Sequence, residues 1–277
     1  MINIFNNAKT VMFNNKEVKS ITNNNGGVMW EKEEPTTNLT LTALGEGFAF
    51  GRSPIFSEDT ITVDWGDGTT ETLTTLERKI HTYSDGLTEH TITLIGEVTE
   101  LLNGSFYRSR IGEIYIPSTI MNFGGGLFSG TSLQSIIFSE NCQLTELSNG
   151  CFAGCLITSI SIPNTITSLG YSCFSGCTAL NSINIPNGVI NIGDACFRGD
   201  GALTSVSIPS SVTNIGEGCF FGCNVEDYQL YWEDSDIPIY YSSILVTGTN
   251  TVFTIPTGQT ANYVAKGYPS DKLVERR

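Results

Sequence analysis

The sequence predicts a mostly-β protein: a solenoid of about six to seven coils of 22–24 residues, preceded by a small β-sandwich and an N-terminal β-hairpin module. Phenylalanine recurs at Phe106, Phe128, Phe152, Phe174, Phe197 and Phe220, in steps of 22, 24, 22, 23 and 23 residues. A period of that length marks stacked repeats. Upstream, short runs alternate apolar and polar residues between Asn-, Asp- and Gly-containing turns, as half-buried strands do. At 277 residues the chain exceeds one ordinary domain. It divides into an attachment module at 1–34, a sandwich at 38–96, the solenoid at 91–250 and a C-terminal cap at 251–277.

Residues 1–33 read as three short strands, at 9–14, 17–22 and 27–31, turning at Asn15-Lys16 and at Asn23-Asn24-Asn25-Gly26. So small a sheet has little core of its own and needs a neighbour. Hairpins of this kind, ending in Met29-Trp30, are similar to those on phage structural proteins, which implies attachment to a larger assembly. Glu31-Lys32-Glu33-Glu34-Pro35-Thr36-Thr37 is a polar linker.

Leu39-Thr40-Leu41-Thr42-Ala43 alternates as a strand should, and so does Thr60-Ile61-Thr62-Val63-Asp64-Trp65. Gly66-Asp67-Gly68 then turns the chain into 69–73, because Asp-Gly supplies the positive φ of a tight hairpin. His81-Thr82-Tyr83, the turn Asp85-Gly86 and a strand at 89–95 complete the unit. Val63-Asp64-Trp65-Gly66-Asp67-Gly68 followed by His81-Thr82-Tyr83 resembles the polycystic-kidney-disease (PKD) type β-sandwich. It departs from that family in placing Trp65 directly before Gly66. The resemblance implies a spacer or binding module of an extracellular protein.

Each repeat phenylalanine carries apolar residues at fixed distances before it. Fourteen, twelve, eight and five before Phe197 lie Ile183, Ile185, Val189 and Ile192; before Phe220 they are Val206, Ile208, Val212 and Ile215. One coil is thus a strand, a turn at Pro, a short stretch and a helical turn bearing Cys-Phe. No coil buries its apolar face alone. The unit L-x-x-I-x-I-P-x-x-V-x-x-I-G-x-x-C-F-x-G-C resembles the BspA-type leucine-rich repeat over 111–223. That resemblance implies a surface protein acting as an adhesin or ligand-binding module. The third coil has Ser139 in place of Pro and two extra residues, so a bulge is expected near Glu140-Asn141-Cys142. The offsets from Phe106 return Ile92, Leu94, Val98 and Leu101, with no Pro in 88–103. The strand at 91–95 is therefore expected to serve both sandwich and first coil, the sandwich sheet running on into the solenoid sheet and hiding its edge. Beyond Cys223 the pattern loosens through an acidic segment, Glu226 to Asp236. Val252-Phe253-Thr254-Ile255-Pro256 then restores it, and a charged terminal helix with Tyr263 and Tyr268 is expected to close the stack.

Composition limits the partners. The formal net charge is −14, with no basic stripe to neutralise a phosphate backbone, so nucleic acid is not expected. No run of about 18 apolar residues is present, so no membrane insertion is expected. Residues 1–16 lack the continuous apolar core of a signal peptide. With the hairpin start, this points to a phage or prophage origin and a virion or cell-surface location.

Seven of the eight cysteines occupy repeat positions: Cys151, Cys173, Cys196 and Cys219 one before the phenylalanine, and Cys155, Cys177 and Cys223 three after it. Cys142 lies off the pattern. Stacked small apolar side chains explain them as buried thiols, with a disulfide or metal role as the alternative. His81 and His90 are the only histidines, and no G-x-S-x-G or H-E-x-x-H is present. His81 reads as a structural hydrogen-bonder, and no enzyme and no cofactor is expected. Asp64, Asp67 and Glu71 cluster oxygen donors suited to calcium, although the hairpin alone accounts for Asp67-Gly68, and both readings stay open. The candidate binding surface is the outward strand face, with Tyr115, Ile137, Ser161, Asn184 and Ser207 as its named residues. Its hydroxyls and amides suit a glycan or an extended protein, while Tyr115 and Ile137 add apolar area. Two classes remain: an adhesin-like recognition module, or a structural virion decoration or spacer.

Overall fold

The structure, a computed structural model, describes residues 38–45, 60–73, 79–86, 88–96, 98–233 and 250–276 in full, and 11–13, 16–18, 21–24, 27–30, 47–49 and 74 as strand backbone. The linker at 31–37 and the acidic residues beyond Glu233 lie outside the described residues. β1 (Val11–Phe13) pairs with β2 (Lys16–Val18), and β3 (Ile21–Asn24) with β4 (Gly27–Trp30), both antiparallel. The three strands expected here are thus four, because each hairpin closes on its own partner.

In the next unit the order is β5 (Leu39–Leu44), β6 (Gly47–Ala49), β7 (Thr60–Asp64), β8 (Thr70–Thr74), β9 (Ile80–Thr82) and β10 (Glu89–Ile95). Alternation puts Ile61 and Val63 of β7, and His90, Ile92 and Leu94 of β10, into the interior over Trp65. Gly66, at φ 79°, is required by contact as well as by turn: a Cβ there would lie 2.4 Å from the Thr91 carbonyl oxygen. β6 and β9 form a separate antiparallel pair.

One sheet runs from this unit into the solenoid, in the order β14 (Ser135–Phe138), β12 (Ile111–Ile116), β5, β10, β7, β8. The strand beside the solenoid's β12 is β5, in the antiparallel register Ile114↔Leu41 and Tyr115↔Thr40. The shared strand expected at 91–95 is therefore one place further out. Both edges of β10 are occupied, by β5 at Thr93↔Thr40 and by β7 at Thr93↔Asp64, which leaves the free edge of β5 for β12. Ile92, Leu94, Val98 and Leu101 are all buried at their repeat offsets. β5 thus intercalates between the strands that the offsets assign to coils one and two.

On their other sides the coils stack directly. A second set of short parallel strands runs β11 (Glu100–Leu101) with β13 (Asn122–Phe123), then β15 (Glu146–Leu147), β16 (Ser168–Leu169), β18 (Asn191–Ile192) and β20 (Asn214–Ile215). The six phenylalanine rings form one column, centroids 5.3–5.5 Å apart and planes within 11° of parallel. Each ring is fully buried, worth about 2–3 kcal/mol in burial alone. The expected helical turn at Cys-Phe is instead a pair of overlapping β-turns. In coil one the Tyr107 amide donates to the Gly104 carbonyl and the Ser109 amide to Phe106, and the pattern repeats down to Gly218 and Phe220. Left-handed residues at each end, such as Gly126 and Gly130, forbid a continuing right-handed helix; Ser172 (φ 51°) and Ala195 (φ 53°) accept the same strained position.

In coil three the turn after the strand survives without proline, closed by the Cys142 amide on the Ser139 carbonyl at 3.0 Å, as Pro117, Pro163, Pro186 and Pro209 close theirs. The two extra residues fall after that turn and not at 140–142, so Cys142 holds the position of Ile120 and Ile166, and Leu144 is buried beside it. Beyond Cys223 the pattern holds: β17 (Ser182–Asn184), β19 (Ser205–Ile208), β21 (Asp227–Leu230), β22 (Val252–Ile255) and β23 (Leu273–Glu275) form one sheet, with every pairing parallel. The short helix α1 (Thr260–Ala265) closes it, its buried Tyr263 donating to the Trp232 carbonyl at 3.0 Å.

Glycine four before the phenylalanine marks where coils touch main chain to main chain. A Cβ on Gly124 would lie 2.3 Å from the Asn103 nitrogen, and one on Gly216 would lie 2.2 Å from that of Asp194. Leu102 occupies this position where no coil precedes, and the longer third coil places Ser148 there, its Oγ donating to the Phe123 carbonyl. Gly216→Ala is expected to lower stability by about 1–3 kcal/mol, the cost of overpacking. Gly201→Ala, whose nearest neighbour is a side-chain atom at 3.8 Å, leaves it near wild type; urea denaturation compares the two. A chain starting at Gly96, which leaves β12 without β5, is expected to aggregate, whereas one starting at Leu39 stays monodisperse on gel filtration.

Candidate functional site

The outward residues of the strand set read in two rows set by the parallel register. One row, on the N-terminal sheet, pairs Glu113 with Ser135 and Tyr115 with Ile137. On the C-terminal sheet Ser161, Asn184, Ser207, Gln229 and Thr254 stand side by side, with Ser182, Ser205 and Asp227 next to them. Neighbouring members are separated by about 4.8 Å, the spacing of paired strands. Ser161 and Asn184 are exposed and Ser207 is half-buried, and none of these three side chains is engaged by a described residue. Further along, Asp227 accepts from Thr254 Oγ1 at 2.8 Å.

Two of the expected site residues behave differently. Tyr115 is 5% exposed, and so is not a solvent-facing aromatic. Within the sheet it lies between Thr40 of β5, itself buried, and Ile137. Ile137 is half-buried. The face is also divided. The fourth coil, Ile160-Ser161-Ile162-Pro163, is among the cleanest copies in sequence, yet it forms only a single bridge, Ser161↔Asn184, and no ladder to β14. The longer third coil displaces the register on which such a ladder depends. Ser161, Asn184 and Ser207 are therefore brought together, apart from Tyr115 and Ile137.

A second polar ladder escaped the reading of the sequence. Six before each phenylalanine stand Glu100, Asn122, Glu146, Ser168, Asn191 and Asn214, the outward members of the short strands. A polar residue before an inward Leu, Phe or Ile in every coil was the available signal.

Around residues 63–90 the side chains satisfy one another. Asp64 accepts the Gly66 amide at 2.9 Å, Glu71 pairs with Lys79, and Asp67 accepts Thr69 Oγ1 at 2.6 Å and faces His81 Nε2 at 2.8 Å. The Thr69 hydroxyl first, and then His81, hold the Asp67 carboxyl far below the usual carboxylate range. His81 stacks on Trp65 at 4.5 Å, Tyr83 donates to the Trp65 carbonyl at 3.0 Å, and His90 stacks on Tyr83 while meeting Asp85 at 2.9 Å. Asp64, Asp67 and Glu71 do not converge, and among the described residues no three His, Cys, Asp or Glu side chains are placed to hold a metal ion.

All eight cysteines are free thiols, seven of them fully buried. Burial pushes Cys155 up to about 11 and Cys223 to about 12, and raises Cys173 well above the ordinary thiol value. Such thiols are poor nucleophiles.

Comparison with known proteins agrees with this geometry. Residues 99–226 match the family described as BspA type Leucine rich repeat region, in six copies. The solenoid is a leucine-rich repeat stack, similar over these residues to the BspA type. Among solved structures, the T. pallidum leucine rich repeat protein is 23% identical, with TM-score 0.44, covering 67% of this chain and 80% of that one. A leucine-rich repeat protein from Eubacterium ventriosum is 25% identical, with TM-score 0.39, covering 58% and 46%. A leucine rich cell surface protein from Faecalibacterium prausnitzii is 26% identical, with TM-score 0.35, covering 55% and 34%. This chain spans less than half the length of the latter two. No curated protein matches it.

Thiol titration of the unfolded, unreduced leucine-rich repeat protein is expected to count close to eight groups; two or fewer would replace packing by disulfides. Cys173→Ala is expected to cost about 1–2 kcal/mol in thermal or urea unfolding through the small cavity it leaves, without abolishing the fold.

Proposed function

We propose that this protein is a non-enzymatic recognition module, adhesin-like and displayed on a cell surface or virion, whose BspA-type solenoid binds a glycan or an extended protein segment. The observation that carries the reading is the run Ser161, Asn184, Ser207, with hydroxyl and amide groups turned to solvent at strand spacing. A repeating ligand with hydroxyls or amides at a similar interval can meet several of them at once, and weak single contacts then add. The absence of basic residues among the named outward positions suits a neutral ligand better than an anionic one. The resemblance to surface adhesins carried by the repeat motif supports display, and residues 1–34 would provide the attachment.

A second reading, a spacer or decoration of a virion, draws on a different observation. The sheet passes from the N-terminal unit into the solenoid through β5 and β12, as suits a stiff connecting body.

The test is a glycan-array and host-cell binding screen with the purified chain. Binding that falls at least tenfold in a Ser161→Arg, Asn184→Arg, Ser207→Arg variant, with an unchanged melting temperature, supports recognition through this face. Binding that survives the triple change places the ligand elsewhere, and no binding to any glycan or cell favours the spacer. Tyr115→Ala is expected to reduce stability by about 3 kcal/mol, as for a buried aromatic, and to leave affinity unchanged.

A further inference from the structure

Three residues after each repeat phenylalanine lies a column of small side chains: Ser109, Thr131, Cys155, Cys177, Asp200 and Cys223. The thiols of this column share one hydrogen-bonding habit. Cys155 Sγ donates to the Phe128 carbonyl at 3.1 Å, Cys177 Sγ to Phe152 at 3.0 Å, and Cys223 Sγ to Phe197 at 2.8 Å, each time the phenylalanine of the preceding coil. In the same register the acceptor for position 200 would be the Phe174 carbonyl, which takes the Cys177 amide just as the Phe152 carbonyl takes that of Cys155.

Asp200 is 0% exposed, and neither of its carboxyl oxygens accepts a hydrogen bond: the nearby Cys177 and Gly176 amides are given to the Phe174 and Arg198 carbonyls. The titratable groups facing it are the thiols of Cys177 in the preceding coil, Cys196 in its own and Cys223 in the following one; among the described residues no cation offsets its burial. An ionised carboxylate here would be a buried charge surrounded by neutral groups and pressed on a carbonyl oxygen, acceptor against acceptor. A protonated carboxyl instead has the one hydrogen that the position requires. We infer that Asp200 folds as a neutral carboxylic acid, standing in for a column thiol with its proton directed at the Phe174 carbonyl, and that losing this proton loosens the coils from Phe174 to Phe220.

Burial pushes the Asp200 carboxyl up to about 8, with the Cys177 and Gly176 amides drawing it only partly back. In the unfolded chain the same group ionises near 4. Between those limits the folded chain holds one proton more than the unfolded chain. The contribution of Asp200 to stability is therefore full below about pH 4, falls as pH rises, and levels off above about 8. The fall is at most about tenfold in the folding equilibrium constant per pH unit, the slope of one linked proton.

The experiment is urea denaturation of the full chain from pH 5 to 9, wild type against Asp200→Cys, which restores the column thiol, and Asp200→Asn, whose amide can donate to the same carbonyl. Relative to Asp200→Cys, the wild type is expected to lose close to tenfold in folding constant for each unit between pH 5 and 7.5. Infrared spectra at pH 6 are expected to show a protonated-carboxyl stretch that both variants lack. A difference between wild type and Asp200→Cys that does not change with pH, or a wild-type spectrum without that band, overturns the inference. The infrared comparison with Asp200→Cys still decides if Asp200→Asn fails to fold.

Discussion

Between coils the main chain of one repeat sits at hydrogen-bonding distance from the main chain of the next. The Phe128 amide donates to the Cys151 carbonyl, Phe152 to Cys173, Phe174 to Cys196 and Phe197 to Cys219, at 2.8 or 2.9 Å in every case. This spacing, close to that of paired strands, governs the choice of side chains. It demands glycine at 124, 170, 193 and 216, where a Cβ would enter the preceding coil. It sets the flat phenylalanine rings in stacked contact, and it buries the residue one earlier, which is Ser105, Leu127 or a cysteine. Asn103, Asn149 and Asp194 use it in another way: each side-chain oxygen accepts the amide of the residue at its own position in the following coil.

The same constraint explains the ends. A coil with no neighbour exposes unpaired amides and carbonyls, the liability of any sheet edge. At the N-terminal end β5 takes up the edge of β12 in antiparallel register, while β11 and β13 pair directly. Coils one and two are therefore held one strand apart on one side and in contact on the other. At the C-terminal end β23 and α1 close the stack, with Arg276 donating to the Leu230 carbonyl at 2.7 Å and lying 3.5 Å from the Tyr231 ring.

Function follows from what this packing leaves outside. Inward positions are spent on stacking, so recognition is left to the outward rows. Those rows differ along the solenoid: buried at Thr40 and Tyr115, open and polar from Ser161 onward. The break after β14 separates the two, and it falls at the one coil whose length departs furthest from the rest. The proposed ligand face therefore begins where the repeat regains its period.

Much of this was legible in the residues. The period of the phenylalanines, the apolar offsets before them and the small residues beside them identify stacked coils, because each coil repeats one local environment and so repeats one set of side chains. His81 as a structural partner of the Asp67 turn was legible for the same local reason. The sequence did not disclose which strand would lie beside β12, since β5 and β10 carry equally good alternation and only the occupied second edge of β10 decides between them. Nor could it show that Tyr115 is covered while Ser161 is open, because both sit at equivalent offsets and differ only in what lies across the sheet. The turns at Cys-Phe read as helical from their spacing, and only the left-handed residues at both ends make them β-turns. Local pattern determined which residues point inward; the pairing of edges far apart in the chain determined which outward residues meet solvent, because an edge has several possible partners and the fold admits one.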